Sequence, residues 1–503
     1  MNQKFRFVSI AAISTLGINS AMALPIDFSG TFGVDAHSIS NLRRSKDDVV
    51  KYTPNTTTRD PNGANGKEGT QGINNGKEGA SFQTYVFKLN PQIIVNDGVT
   101  LKGEISSGYI RGGFAGGEAG NNADGSSNNA YFFTSPAQRS GLNLNQMYME
   151  LYADTALVKI GRFAKGYGTG MIWSSGTKAW DRFFTMYDGI EAEMKIGNFS
   201  IIPHFAKISS YRNNPTSGSG ASGENDVREL GIIAKYDNKN RDLVASVLYA
   251  KRSAEPKNAL YNQGTASNTA GTIRGKSEVT VIEPYVSKKW NKFKVAAEAS
   301  IQSGDYGTYD STIGPSKLSA NAYVVEATYE LNPKWDLGLH AGQVSGDKGS
   351  TGKFEASYLN PNYHIAELMF RYNYAAFTEP TGRSIFDSSI TNTRFAKLYG
   401  NYKTDKWTWK AAAIMAKAME TSSGSGRSYH HEEGYAFTSG AKQSDDMGYE
   451  IDLGFDYRWN PNVVISGFYG FWFVGDYYAF TNDTKELSLT NVHGGGLSAT
   501  VEF

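Results

Sequence analysis

Few residues in this 503-residue chain are equipped for covalent chemistry. It has no cysteine, so a thiol nucleophile and a metal–thiolate site are both excluded. Of the histidines, His204 and His340 fall in stretches that read as strands, and His364 and His493 in or near loops. A serine–histidine hydrolase needs partners that meet in space, and no such pairing follows from the spacing here. The run "YHHEEGYAF" sets His430, His431, Glu432 and Glu433 side by side. These are ligand types, but adjacent residues point in different directions, so the run reads as an exposed polar loop tip and not a metal site. "GYGTG", from Gly166 to Gly170, has the glycine spacing of a phosphate loop. It lacks the Gly-Lys-Ser/Thr and the following helix that such a loop requires. No catalytic residue, metal or cofactor is therefore assigned.

What remains is charge set at every second position. "IEAEMKI" places Glu191, Glu193 and Lys195 between apolar neighbours. In "YEIDLGFDYRW", Glu450, Asp452, Asp456 and Arg458 oppose Tyr449, Ile451, Leu453, Phe455, Tyr457 and Trp459. In "QMYMELYAD", Glu150 opposes Met147, Met149 and Leu151, and in "YVVEATYEL", Glu326 opposes Val325 and Ala327. A period of two puts these sets on opposite faces of a sheet. The polar face gathers Glu150, Glu191, Glu193, Glu298, Glu326, Glu450, Asp452 and Asp456 with Lys102, Lys159, Lys195, Lys235, Lys294, Lys410 and Arg458. Such a near balance of sign does not favour strong selectivity, and some of these charges will be cross-strand pairs.

The elements that carry this pattern are long strands. Many runs reach the about 9–11 residues needed to cross a bilayer at a barrel's tilt. Their connections alternate. Tight turns occur at Asn96–Gly98, Ala153–Thr155, Gly197–Asn198, Asp237–Asn240, Trp290–Asn291, Asn332–Lys334, Thr404–Lys406 and Asn460–Asn462. Between them lie long Gly/Ser/Asn-rich stretches such as His37–Ala80, Gly112–Gly141, Tyr211–Asp226, Ala254–Gly275 and Thr421–Ser444. Trp290, Trp335, Trp407, Trp409 and Trp459 adjoin tight turns, as in an interfacial aromatic girdle. Pairing strands across the tight turns and adding Ile26–Ala36 and Gly494–Phe503 predicts an all-β, transmembrane antiparallel barrel of about 18 strands, within two. The first and last strands must pair, since an open edge in lipid leaves backbone groups unsatisfied. The stretch 348–390, with "HIAELMFRYNYAAF", fits no hairpin; it reads as a loop packed on or into the barrel mouth, or as an extra strand pair.

Composition agrees. Residues 1–23 combine Lys4 and Arg6, a short apolar run and Ala21-Met22-Ala23, the pattern of a cleaved secretory signal peptide. Without those two cations the formal charge of +1 becomes −1, which does not suit a nucleic-acid binder. The mean hydropathy is −0.43 and no later run is long and apolar enough for a membrane helix. Aromatics nonetheless make up 13% of the chain, which a barrel with only one apolar face per strand accommodates. Residues 24–503 read as one domain.

The leader, the hairpin rhythm and the terminal "GGGLSATVEF" together resemble a Gram-negative outer-membrane porin. Neither a plug before "IDFSGTFGVDA" nor a passenger domain is expected from this reading. The resemblance implies a bacterial outer membrane location, contact with its lipid and lipopolysaccharide, and a monomeric or homotrimeric barrel. It also implies that Phe503, at the end of an alternation with Leu497, Ala499 and Val501 outward, is read by the outer-membrane assembly machinery. "IGRFAKGYGTGMIWSSGTKAWDRFFTMYDG", Ile160–Gly189, is similar to a segment of several porin-like proteins. The resemblance implies an inward-folded loop narrowing the pore, with Arg162, Lys165, Lys178, Asp181 and Arg182 at the constriction. The function expected is passive diffusion of small hydrophilic solutes and ions. An adhesin or structural barrel is the alternative, and an outer-membrane hydrolase a lesser one.

Overall fold

The computed structural model describes residues 25–41, 79–107, 112–114, 142–210, 226–254, 277–310, 314–349, 352–372, 385–386, 388–432, 434–482 and 486–503. The expected leader and most of the loops at 42–78, 115–141, 211–225 and 255–276 lie outside these residues. Alternating side chains produce strands, and 18 of them form the wall. In chain order they are β1 (Ile26–Ser40), β2 (Gly79–Asn96), β3 (Val99–Ser107), β4 (Leu142–Ala153), β5 (Ala156–Lys165) and β6 (Thr185–Ile196). There follow β7 (Phe199–Ser210), β8 (Asp226–Asn238), β9 (Leu243–Ala254), β10 (Ser277–Trp290), β11 (Phe293–Asp310) and β12 (Gly314–Asn332). The last six are β13 (Trp335–Val344), β14 (Thr393–Lys403), β15 (Trp407–Ala418), β16 (Asp446–Asn460), β17 (Val463–Val474) and β18 (Val492–Glu502).

Each strand pairs antiparallel with its neighbours in sequence. β1 also pairs with β18, from Thr31 opposite Glu502 to Ser40 opposite His493, which closes the cylinder. The closure continues to the terminal residue: Gly30 N–H donates to the Phe503 carbonyl at 2.7 Å, and Phe503 N–H returns the bond at 3.1 Å. The Phe503 ring lies over Gly30, where a Cβ would come within 2.5 Å of the ring edge, so a larger residue at 30 would have to displace it.

The eight tight turns share one rim and all long connections leave from the other. The outer face carries exposed apolar side chains, among them Phe32, Ile190, Phe205, Leu230, Ile232, Ile282 and Leu453. Such a surface is stable facing hydrocarbon and not water. Trp290, Trp335, Trp409 and Trp459 are exposed beside the short turns, and Trp407 stacks on Trp409 with centroids 5.2 Å apart. β11 and β12 run to 18 and 19 residues, longer than a crossing needs, and extend past the apolar rows on the long-loop side.

The core lies inside the barrel. The described parts of the 345–392 segment fold inward and bury Leu359, Ile365, Leu368, Met369, Tyr372 and Ile390 against wall residues Val324, Phe395, Ile414, Met447 and Trp472. Its contribution to the sheet is a two-residue parallel bridge, Lys353–Phe354 beside Lys317–Leu318. Among the described residues it is thus an inserted loop, and the alternative of an extra strand pair falls away. The stretch is too apolar for an exposed loop, and the inner wall opposite it is apolar where the two meet.

Candidate functional site: the narrowed lumen

Two loops fill the barrel at one level. The first joins β5 to β6 and covers residues 166–184. Gly168 has φ of 58° and would place a Cβ 2.3 Å from a Glu298 oxygen, so glycine permits both the turn and the approach to the wall. Next to it the Thr169 N–H and hydroxyl both donate to Glu298, the hydroxyl at 2.6 Å. Tyr167 donates to the Glu283 carbonyl at 2.6 Å, and Trp173 donates to the Tyr187 hydroxyl at 2.9 Å. Tyr187 in turn donates to Glu229, which His204 and Arg252 also contact. On the opposite wall Trp180 Nε1 donates to Thr500 at 3.1 Å. The loop thereby spans the lumen between distant strands.

The second is the 345–392 loop. Asn360 N–H donates to the Met171 carbonyl at 2.7 Å, and Asn362 accepts from Phe183 N–H at 3.2 Å, which joins the two loops. Glu450 on β16 accepts three consecutive backbone N–H groups, from Glu367 at 2.9 Å, Leu368 at 2.7 Å and Met369 at 2.6 Å. Such a run of N–H groups forms a concave anion site that here grips a wall carboxylate. Asp452 accepts the Glu367 N–H as well, at 3.2 Å. Tyr363 donates to Glu326 at 2.8 Å.

Between these loops and the wall remains a cavity of about 470 Å³. Asp35, Glu367, Asp452 and Asp456 supply its acids, and Arg371, Lys397 and Lys410 its bases, with His340, Tyr399 and Ser466 among the polar groups. Arg371 pairs with Glu367 at 3.3 Å, and Lys410 with Asp456 at 2.7 Å. His364 has an exposed side chain, but the protein mass crowded around it in the narrowed lumen, with the Arg371, Lys178 and Lys397 charges, holds it below the usual imidazole range.

The five residues expected at the constriction separate. Arg162 is placed on the outer face, not in the lumen: its register partner Met147 is exposed, and it pairs bidentately with Asp188 at 2.6 and 2.7 Å. The physical reason is parity, since Phe163 and Lys165 take the inward positions on the same strand. Lys165 is inward but buried, neutralised at the wall by Glu191, which Lys159 also approaches at 3.4 Å. Arg182 is buried too. It donates to Thr84 Oγ1 at 2.5 Å, lies 3.8 Å from Asp35 and sits 4.3 Å over the Phe386 ring, pinning the loop to β1 and β2. Burial lowers its guanidinium to about 10 despite Asp35. Lys178 is exposed and Asp181 partly so; Asp181 caps the Lys178 N–H at 3.0 Å.

Of the inner-face charges, Glu150 pairs with Lys102 at 2.8 Å and Glu193 accepts from Ser200 at 3.0 Å. Lys195 and Arg458 lie exposed near the short-turn rim. Glu298, Glu326 and Glu450 hold loops in place instead of lining open water. Sequence reasoning missed Arg371, Lys397 and Glu367. For Glu367 and Arg371 the signal was the polar punctuation of the apolar 363–372 run; Lys397 shares the inward face of β14 with buried Phe395. The loop tip at 430–433 also needs correction: His431 is buried, because its Nε2 accepts the Asp347 N–H at 2.8 Å. Among the described residues no cluster has the makings of a metal site.

No protein-family model matches the chain, and no curated protein matches it in sequence. Among solved structures, OccK8 (OprE) of Pseudomonas aeruginosa is similar with a TM-score of 0.48 at 11% identity, covering 95% of this chain and 98% of that one. OccK9 (OpdG) of the same organism gives 0.47 at 12%, covering 95% and 99%. OmpT of Vibrio cholerae gives 0.36 at 11%, covering 95% and 97%. The fold itself rests on the register and closure described above. Only a closed barrel leaves no wall backbone unpaired in lipid, and this one turns its apolar rows outward, so the chain is a closed transmembrane β-barrel.

Proposed function

We propose that the protein is a channel for passive diffusion of small hydrophilic solutes and ions across the outer membrane. The observation that carries this reading is the cavity of about 470 Å³ inside the wall, lined by charges of both signs and bounded by two inward loops. An 18-stranded wall encloses more space than its own side chains fill, so the loops set the bore. Transport then needs a hydrated path, a radius and a charge pattern, and no catalytic residue. Residues 1–23 act as the export signal and Phe503 as the assembly signal in this account, and either a monomer or a homotrimer would serve. Liposomes containing the protein should swell in small sugars and cease to do so as solute size rises. Impermeability to every hydrophilic solute, with the barrel folded, would remove the channel reading and favour an adhesin or structural barrel.

A further inference from the structure

The outer face should be apolar through the depth of the bilayer, yet one ion pair stands in the middle of the belt. Arg162 and Asp188 are register partners on β5 and β6. Both point outward, since their chain neighbours Phe163 and Tyr187 are buried inward, and their side chains are 47% and 44% exposed. Arg162 lies six residues along β5 from Ala156, where the strand leaves its short turn. The exposed tryptophans beside the short turns mark the edge of the belt. At about 3.3 Å per residue and a tilt of about 40°, Arg162 is about 15 Å into an apolar band about 25 Å tall. The next four strands show what belongs at this depth. Six residues from their own short-turn ends, β6 to β9 turn Ile190, Phe205, Ile232 and Tyr249 outward, all exposed. The middle of the bilayer is where an arginine against lipid costs most. The bidentate bonds to Asp188 use two of the five guanidinium N–H groups. The other three have no acceptor among the described residues, and hydrocarbon offers none.

We propose that the outer face of β4 to β6 packs against a second copy of this chain, about a two-fold axis along the membrane normal. The charges select this partner. An axis between β5 and β6 sets Arg162 opposite the partner's Asp188 at one height, and does so twice. The spare N–H groups of each guanidinium then gain a carboxylate, and four charges close a neutral ring. A partner carrying one sign only would leave half of that ring unmatched. Around the pair the face is apolar and adaptable. Met147, beside Arg162, is 61% exposed, and Ile160 and Ile190 face each other two residues nearer the short turns. Sealed between two barrels, the ring is shielded from water as well as lipid, where its bonds are strongest. The inference does not depend on what passes through the lumen.

The chain has no cysteine, so one introduced thiol can link only to its own copy. In native membranes under mild oxidant, Ile190→Cys, next to the axis, should give a disulfide-linked dimer. Leu453→Cys, equally outward on the distant β16, should not. Ultracentrifugation in mild detergent should show wild type as a dimer. Arg162→Asp sets carboxylates against each other twice and should weaken association by about a hundredfold or more. The swap Arg162→Asp/Asp188→Arg should restore it. Arg162→Leu/Asp188→Leu, suited to lipid, should fold and stay monomeric. Folding is checked by heat-modifiable migration, and conductance per barrel, which tests the channel reading separately, should be the same in every variant. No link in Ile190→Cys overturns the proposal, as do equal links in both cysteine variants, a wild-type trimer, or undiminished association in Arg162→Asp or in the double leucine variant.

Discussion

Glu450→Ala removes the acceptor of three loop N–H groups and leaves the wall otherwise intact. Glu367 N–H keeps Asp452 at 3.2 Å, but Leu368 and Met369 N–H lose their partner, and both residues are fully buried. A buried donor left unpaired costs about 1–3 kcal/mol, so two cost about 2–6 kcal/mol. Against this stand Ile365, Leu368, Met369 and Tyr372, all at most 1% exposed. Each contributes about 1.5–3 kcal/mol by burial. The apolar term is larger, so the loop should stay inside the barrel while its 367–369 turn opens locally. Hydrogen exchange over residues 365–372 should accelerate by about 30-fold or more, taking 1.4 kcal/mol per tenfold. Single-channel records should become noisier at nearly unchanged mean conductance. Unchanged exchange would refute the grip of Glu450 on the turn. Failure of the barrel to assemble would show that the carboxylate supports the wall and not the loop.

Lys397→Glu reverses a charge lining the cavity; at ~6 Å in water this shifts a passing ion by about 1 kcal/mol, so reversal potentials should move several-fold in permeability ratio toward cations. Arg162→Gln should leave selectivity unchanged, because that side chain faces outward; a shift equal to that of Lys397→Glu would contradict the placement. The outer loops carry two opposed titrations. Burial, reinforced by His430, holds His431 at about 3, below its ordinary 6.5, so its contribution to the 345–392 contact is complete above 6.5 and fades as pH falls toward 3. Burial pushes Asp347 up to about 6, so its contribution is complete below its ordinary 3.8 and fades as pH rises through 6. Between pH 6 and 4 the two nearly cancel, so exchange near 347 and 431 should change little in the wild type, whereas His431→Asn, which leaves the aspartate alone, should slow it on acidification; identical profiles would refute it. Deleting Phe503 should cut the yield of inserted barrel severely while pores that do form conduct normally, checked by surface labelling and conductance.

Period-two alternation determines which side of the wall a residue faces, so the count of 18, the closure of β1 on β18 and the two rims were all legible. So was the inward fold of the 166–184 loop, by resemblance and by its glycines. Individual positions were less so. Arg162 is not a pore charge because β5 continues to Lys165, so strand parity and not the inward loop that follows governs residue 162. Lys165 and Arg182 looked like pore charges because a sequence does not show Glu191 and Thr84 waiting on other strands. The 363–372 run hid Glu367 and Arg371 because its apolar neighbours bury against the inner wall, an environment that neither lipid nor water alternation announces. Glu298 and Glu450 looked like solute-facing acids for the same reason: backbone N–H partners leave no mark in the sequence.

The central claim is a water-filled path narrowed by two loops, and planar-bilayer recording of the purified protein tests it most directly. The account predicts stable, ohmic single-channel openings whose conductance rises when the apolar anchors Leu368 and Met369 are both changed to Asp, releasing the loop. A folded, inserted barrel that never opens, or one whose conductance ignores that release, would contradict it.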